Sequence, residues 1–257
     1  MRIFSTNSKV VQICERLDLG YSAHMAKVKG SGTRADAVTA AIRADILGGR
    51  LTPGQRLTFP ELGARHGVSV GVLREALARL VEHGIVKTVS NLGFSVIPLS
   101  ARDLAELTLV RTLTEPQFLR QSVRDGSVRW ESDVVAAHHL LERTPYSEES
   151  GAPFSEAWSE AHTAFHMALI SGCSNVYMHD GTTRLRDVTA IYRRWSPSGP
   201  TEDALERTAD EHRGLVDAAL ARDADRAERL LREHIQRAAD DIIIAPQFDE
   251  EYTAARG

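Results

Sequence analysis

The sequence predicts a mainly α-helical protein in two parts: a compact helix-and-hairpin unit, then an all-α helical bundle. Three observations predict it. Helical periodicity, interrupted by turn residues, fills most of the chain; one stretch near residue 90 alternates apolar and polar residues instead; and the charge divides near Pro98. Residues 1–98 hold 13 Lys/Arg against 7 Asp/Glu, a net of +6, although the 257-residue chain as a whole carries −4. A basic first part suits a polyanionic partner and an acidic second part does not.

Composition excludes several classes. Hydrophobic residues make up 42% and charged residues 26%, with 18 Gly and 9 Pro, which is neither disordered nor repetitive. No apolar run approaches the roughly 18 residues needed to span a bilayer, and the first residues lack the apolar core of a signal peptide. The expectation is a cytoplasmic chain without membrane association. Cys14 and Cys173 are too few and too far apart for a disulfide framework, which fits a reducing compartment.

Residues 1–32 read as an N-terminal extension with a basic end and no assigned chemistry. From Thr33, a plausible N-cap, Val38, Ala41, Ile42, Ile46 and Leu47 recur at helical spacing until Gly48-Gly49. Pro53-Gly54 marks a turn, and Pro60 opens a helix of barely two turns closed by Gly67. Ser69 then caps a third helix whose apolar face is Val72, Leu73, Ala76, Leu77, Leu80 and Val81, ending at Gly84. Alternation on both sides of Ser90-Asn91-Leu92-Gly93 predicts a β-hairpin. Helix, short helix, tight turn, helix and hairpin within residues 33–98 make a winged helix-turn-helix, whose third helix is short enough for a major groove about 12 Å wide. Arg74 and Ser69, near the start of that helix, are the foremost candidates for contact with double-stranded DNA. Arg65, Lys87, Asn91 and Gly93 are further candidates, although Ser69 and Asn91 also have sufficient local roles as cap and turn.

The segments Leu51–Leu57, Glu61-Leu62, Gly67–Leu77 and Leu80–Val86 resemble the DNA-binding domain of GntR-family bacterial transcriptional regulators. The resemblance covers residues 34–98 and implies an operator bound by a homodimer. Arg74 is retained in the Ser-Arg-x-x-Val-Arg-Glu-Ala pattern of that family, but Val70 stands where an arginine often reads a base. Leu92 stands before Gly93 where an arginine is common. A bidentate arginine is worth about 1–3 kcal/mol of base discrimination, so the departures bear on which operator is read.

Beyond Pro98 the chain resolves into six amphipathic helices over residues 101–125, 128–143, 154–171, 175–195, 201–221 and 223–243, enough to bury a core over 99–243. Residues 244–257 form a C-terminal tail with no assigned role. His162 and His166 lie at i and i+4 on the apolar face marked by Trp158, Ala161, Phe165 and Leu169, about 6 Å apart. His212 sits within the stripe Leu205, Ala209, Leu215, Val216 and Ala219, and His234 among Leu230, Leu231, Ile235 and Ala238. Four imidazoles therefore point inward from three helices. Any one of them has a core histidine as its simplest reading, but four converging on one cavity find a common partner in a divalent cation. His138 and the remaining histidines show no such arrangement.

Arg111 with Glu115, His162 to His166, Ser171 to Asn175, Glu211-His212 and Ala221 to Asp225 through His234 resemble the FCD effector-binding domain of the FadR subfamily. That resemblance implies a metal held by three histidines, here His166, His212 and His234, with an Asp or Asn four residues before the first. His162 occupies the latter position, a departure. Four neutral nitrogen ligands favour Zn²⁺ or Ni²⁺ over harder ions. Arg111 is either the i,i+4 partner of Glu115 or a fork for a small carboxylate effector.

Three functions compete: a transcriptional regulator whose operator affinity follows a carboxylate effector, a metal-responsive regulator, and a metal-dependent hydrolase. A zincin-type helix needs a glutamate directly after the first histidine as general base, and this chain has Thr163 there. Catalysis is therefore the least supported.

Overall fold

The computed structural model describes residues 33–90, 93–147, 154–197 and 200–242. The extension over 1–32, Asn91, Leu92 and the tail lie outside the described residues.

The head begins with α1 (Arg34–Leu47), where the Thr33 side chain and Asp36 form a reciprocal capping box. A two-residue strand β1 (Arg56–Leu57) follows, then α2 (Phe59–His66) and α3 (Val70–Glu82). Gly67 ends α2 at φ +62° and ψ +38°, a left-handed turn that costs glycine little and turns the chain into α3. The hairpin of β2 (Val86–Val89) and β3 (Gly93–Val96) pairs Val86 with Val96 and Val89 with Gly93. Strand β1 pairs antiparallel with the other side of β3, so the sheet runs β1-β3-β2. The sequence reading anticipated the hairpin but not β1, which is too short to show alternation and is defined only by its partner.

The bundle comprises α4 (Ala101–Asp125), α5 (Val128–Arg143), α6 (Glu156–Ile170), α7 (Val176–Arg194), α8 (Glu202–Leu220) and α9 (Ala224–Asp240). Each described helix of head and bundle opens on a Ser, Thr, Asn or Asp side chain accepting a backbone N–H of its first turn, typically worth about 1 kcal/mol apiece. These local signals are why the expected helix ends fall within a few residues of the observed ones. Helix α4 continues through Pro116, which has no N–H for the Thr112 carbonyl. Arg232 of α9 donates to that carbonyl at 2.6 Å instead. Gly172 allows the turn after α6 to approach α4: a Cβ there would meet the Ser122 carbonyl at 2.9 Å.

Helix α4 packs along α9, α5 against α6 and α8, and α7 against α4, α6 and the head helix α1. Phe165, Leu169, Leu119, Val123, Leu215 and Leu231 centre the bundle core. The head core, built on Ile42, Ile46, Leu73, Leu77 and Leu80, also takes in Leu104 of α4 and Ile191 and Tyr192 of α7. The two parts therefore share apolar packing, with α7 between them. No helix among the described residues is long and apolar enough to cross a membrane.

Candidate operator surface and metal centre

The exposed end of α3 carries the residues expected to meet DNA. Ser69 is its N-cap, with Oγ accepting from the Val72 N–H at 3.5 Å, and Arg74 is exposed one turn later, its guanidinium 5.3 Å from the Phe59 ring centroid. Arg74 does not pair with Glu75, whose carboxylate takes Arg79 at 2.6 Å instead. Val70, where the family often has arginine, is 49% exposed beside them. Gly93 is exposed at the start of β3. Arg65 is exposed but held at 3.0 Å by Asp45 of α1. Lys87 lies elsewhere, lining a crevice of about 300 Å³ with Asp103, Val188 and Tyr192 on the bundle side of the hairpin. Arg34 anchors the α2–α3 turn by donating to the Gly67 carbonyl at 2.6 Å.

Inside the bundle, α6 contributes His162 and His166, α8 His212 and α9 His234, all four buried. One nitrogen from each comes within 4.8 Å of the others. Ring centroids lie 4.6 Å apart for His162 and His166, 4.9 Å for His212 and His234, and 5.0 Å for His166 and His234. Burial holds His162, His166 and His212 well below the ordinary imidazole pKa, and burial, aided by Arg186, takes His234 down to about 3. Neutral imidazoles are the form that ligates metal.

The hydrogen bonding around these rings fits the same role. Both nitrogens of His166 and Nε2 of His212 are buried without an acceptor or donor among the described residues. Leaving such groups unmatched typically costs about 1–3 kcal/mol each. His234 Nδ1 lies 2.9 Å from Glu211 Oε2, which also takes Arg237. A carboxylate on Nδ1 fixes the proton there and leaves Nε2 as the free lone pair, the usual outer partner of a metal-ligating histidine. His162 stacks on Trp158 at 4.7 Å and 21°. His138, read as ordinary, is also buried, but its neighbours are Phe165 and Glu142 and it stands apart from the four-histidine group.

A cavity of about 390 Å³ opens beside the imidazoles, lined by Tyr146, Phe154 and Trp158 together with Arg111, Arg186 and Arg193. Arg111 fulfils the i,i+4 reading: its Nε meets Glu115 Oε1 at 2.6 Å. It also faces the cavity, with Nη1 donating to Thr189 Oγ1 at 3.1 Å. Glu115 is fully buried and takes Arg186 as well. Burial alone would raise its pKa, but the two guanidiniums outweigh that and hold the carboxyl below its ordinary range. One carboxylate between two guanidiniums leaves a surplus positive charge at the cavity wall. Sequence reasoning missed Arg186 and Arg193 because their spacing along α7 also fits an exposed polar face.

The comparisons with known proteins follow the two parts. The family model described as bacterial regulatory proteins of the gntR family matches residues 34–96, and the FCD domain model matches residues 106–237. The HTH-type transcriptional regulator BphR of Paraburkholderia xenovorans is 38% identical over 218 residues, covering 80% of this chain and 83% of that protein. The HTH-type transcriptional repressor GlaR of Escherichia coli is 34% identical over 196 residues, covering 76% and 89%. Among solved structures, McbR/YncC of E. coli aligns with a TM-score of 0.68 at 19% identity, over 80% of this chain and 95% of that one, a likeness of fold. The chain belongs to the GntR family and is a DNA-binding transcriptional regulator, not an enzyme, with a winged helix-turn-helix head and an FCD effector domain.

Proposed function

We propose that operator binding by this regulator is controlled by a small carboxylate effector lodged at a metal centre of His162, His166, His212 and His234. The observation that carries the reading is the convergence of four buried, neutral imidazoles from three helices, three of their nitrogens without a hydrogen-bond partner among the described residues. Four nitrogen donors suit Zn²⁺ or Ni²⁺. Held by these imidazoles, such an ion would supply a fixed positive charge beside the cavity. Arg111 and Arg186 draw the effector carboxylate to that end, since only one buried carboxylate, Glu115, serves both.

On the operator, Arg74 and Ser69 are the contacts from α3, with Gly93 at the start of β3 and Arg65 on phosphate. A homodimer would read two half-sites, because one recognition helix of thirteen residues gives limited affinity. The exposed stripe Leu109, Val110 and Leu113 on α4 offers an apolar face for the second copy.

Helix α7 supplies a route from effector to operator. Arg186, Thr189 and Arg193 face the cavity, while Asp187 is buried in a two-pronged pair with Arg43 of α1 and Ile191 and Tyr192 enter the head core. Arg194 donates to the Leu47 carbonyl at the end of α1 and to the Phe154 carbonyl of the cavity wall. A small shift of α7 therefore moves α1 with it. The coupling required is modest: about 1–3 kcal/mol changes operator affinity by roughly 5- to 150-fold.

A mobility-shift titration with the DNA upstream of the protein's own gene, with Zn²⁺ and carboxylates added separately and together, tests this. The expected result is specific binding whose affinity changes with carboxylate only in metal-loaded protein and not in His166→Ala. A change with Zn²⁺ alone would assign the signal to the metal itself, and no change under any condition would remove the effector reading.

A further inference from the structure

Resting on the reading just given, a second feature of the same cavity specifies which carboxylates it takes. Arg193 stands on α7 seven residues after Arg186 and four after Thr189, so all three face the cavity. Its neighbours each have a partner. Arg111 and Arg186 share Glu115, Arg194 is committed to two carbonyls, and Arg207 lies 3.7 Å from Asp241. Arg193 has neither ion pair nor hydrogen bond from its guanidinium among the described residues, and its Nε is fully buried. Its company is aromatic: the guanidinium carbon lies 5.3 Å from the Phe154 ring centroid and 5.5 Å from that of Trp158. Burial lowers its pKa only to about 10, so it stays charged at neutral pH.

A half-buried charge without a counter-ion among the described residues still carries a desolvation cost, and aromatic faces offset only part of it. The position of Arg193 relative to the metal centre is bounded by Trp158, which stacks on His162 at 4.7 Å and meets Arg193 at 5.5 Å. Two such steps separate the imidazoles from the unmatched guanidinium, a span that a few methylenes or one ring cross. Trp158, Phe154 and Tyr146, packed ring against ring, also line the cavity and give it apolar surface that suits a spacer.

We propose that the cavity is built for a dicarboxylate: one carboxylate at the imidazole end with Arg111 and Arg186, the second on Arg193, and the spacer along Trp158. The single charge left over at Arg193 matches one carboxylate, and its fork geometry matches two oxygens. Arg193 is thus a specificity-determining residue. It selects effector length and favours dianions over monoanions, which leave its charge unmatched.

The test is calorimetric titration of Zn²⁺-loaded full-length protein with unbranched dicarboxylates of four to seven carbons, each beside the monocarboxylate of equal carbon number. The expected result is one preferred length at which the dicarboxylate binds at least tenfold tighter than its monocarboxylate. In Arg193→Leu that preference collapses to within about twofold through loss of dicarboxylate affinity, and Arg193→Lys restores part of it. Equal binding of mono- and dicarboxylates by the unaltered protein overturns this inference and leaves the metal-carboxylate reading standing. A preference unchanged in Arg193→Leu also overturns it. No binding of either series overturns both. The comparison within the unaltered protein needs no variant to fold.

Discussion

The head and the bundle each enclose a core of aliphatic and aromatic side chains, yet they treat polar groups in opposite ways. Among the described residues of 33–98, Ser95 is the one buried polar residue. The bundle buries Arg111, Glu115, Arg186, Asp187, His138 and the four clustered histidines. A core that only positions a recognition helix is stabilised by apolar burial and keeps its charges for the DNA surface. A core that receives a ligand carries groups whose partners are incomplete until the ligand arrives, and gives up stability for them.

Breaking the buried charge triad should have the largest effect. Glu115→Ala strands two guanidiniums and is expected to cost about 3–5 kcal/mol in denaturant unfolding, the range for removing one member of a buried ion pair. A loss below about 1 kcal/mol would mean that water reaches the triad and that the bundle core is less polar-sealed than described. In the head, Leu77→Ala should cost about 2–5 kcal/mol by cavity formation while leaving metal binding unchanged. A matching loss of metal affinity would contradict the separation of the two roles.

A smaller effect of opposite sign is expected for His166→Leu. Because both ring nitrogens lack partners among the described residues, the metal-free variant should unfold at equal or slightly higher denaturant, a gain of about 1 kcal/mol or less. It should also lose any stabilisation by Zn²⁺. A metal-free loss of several kcal/mol would show instead that the imidazole has a structural partner. Acid should act on the same groups. With folded pKa values depressed below the unfolded value near 6.5, the unfolded chain binds protons that the folded chain does not, so stability rises with pH. Metal-free protein should therefore lose stability progressively as pH falls from about 7 toward 4, and the loss should be reduced in His166→Leu. The smallest effect belongs to the exposed Arg102–Glu106 pair of α4, whose removal should leave the melting temperature unchanged within error.

The same contrast governs what the sequence revealed. Helix positions in both parts were legible because caps and apolar spacing are local: Thr33, Ser69, Ser127 and Ser155 each announce a helix within their own first turn. The histidines were legible because they interrupt apolar stripes, where a polar residue asks for a reason. Arg186, Asp187 and Arg193 were not, because charged residues along α7 look like a solvated face until α1, α4 and α6 are packed around it. Arg111 shows the boundary between the two cases. Its spacing to Glu115 was plain, but the third partner, Arg186, is 71 residues further on than Glu115 and only tertiary packing brings it there.

The central claim is that the four imidazoles form one metal centre. Titrating chelator-stripped protein with Zn²⁺ and recording X-ray absorption at the zinc edge tests it most directly. One ion per chain, a first shell of nitrogen at about 2.0–2.1 Å with imidazole scattering, and loss of binding in a His166→Ala/His212→Ala variant are the predicted results. Substoichiometric uptake, or uptake unaffected by that double substitution, would contradict the account.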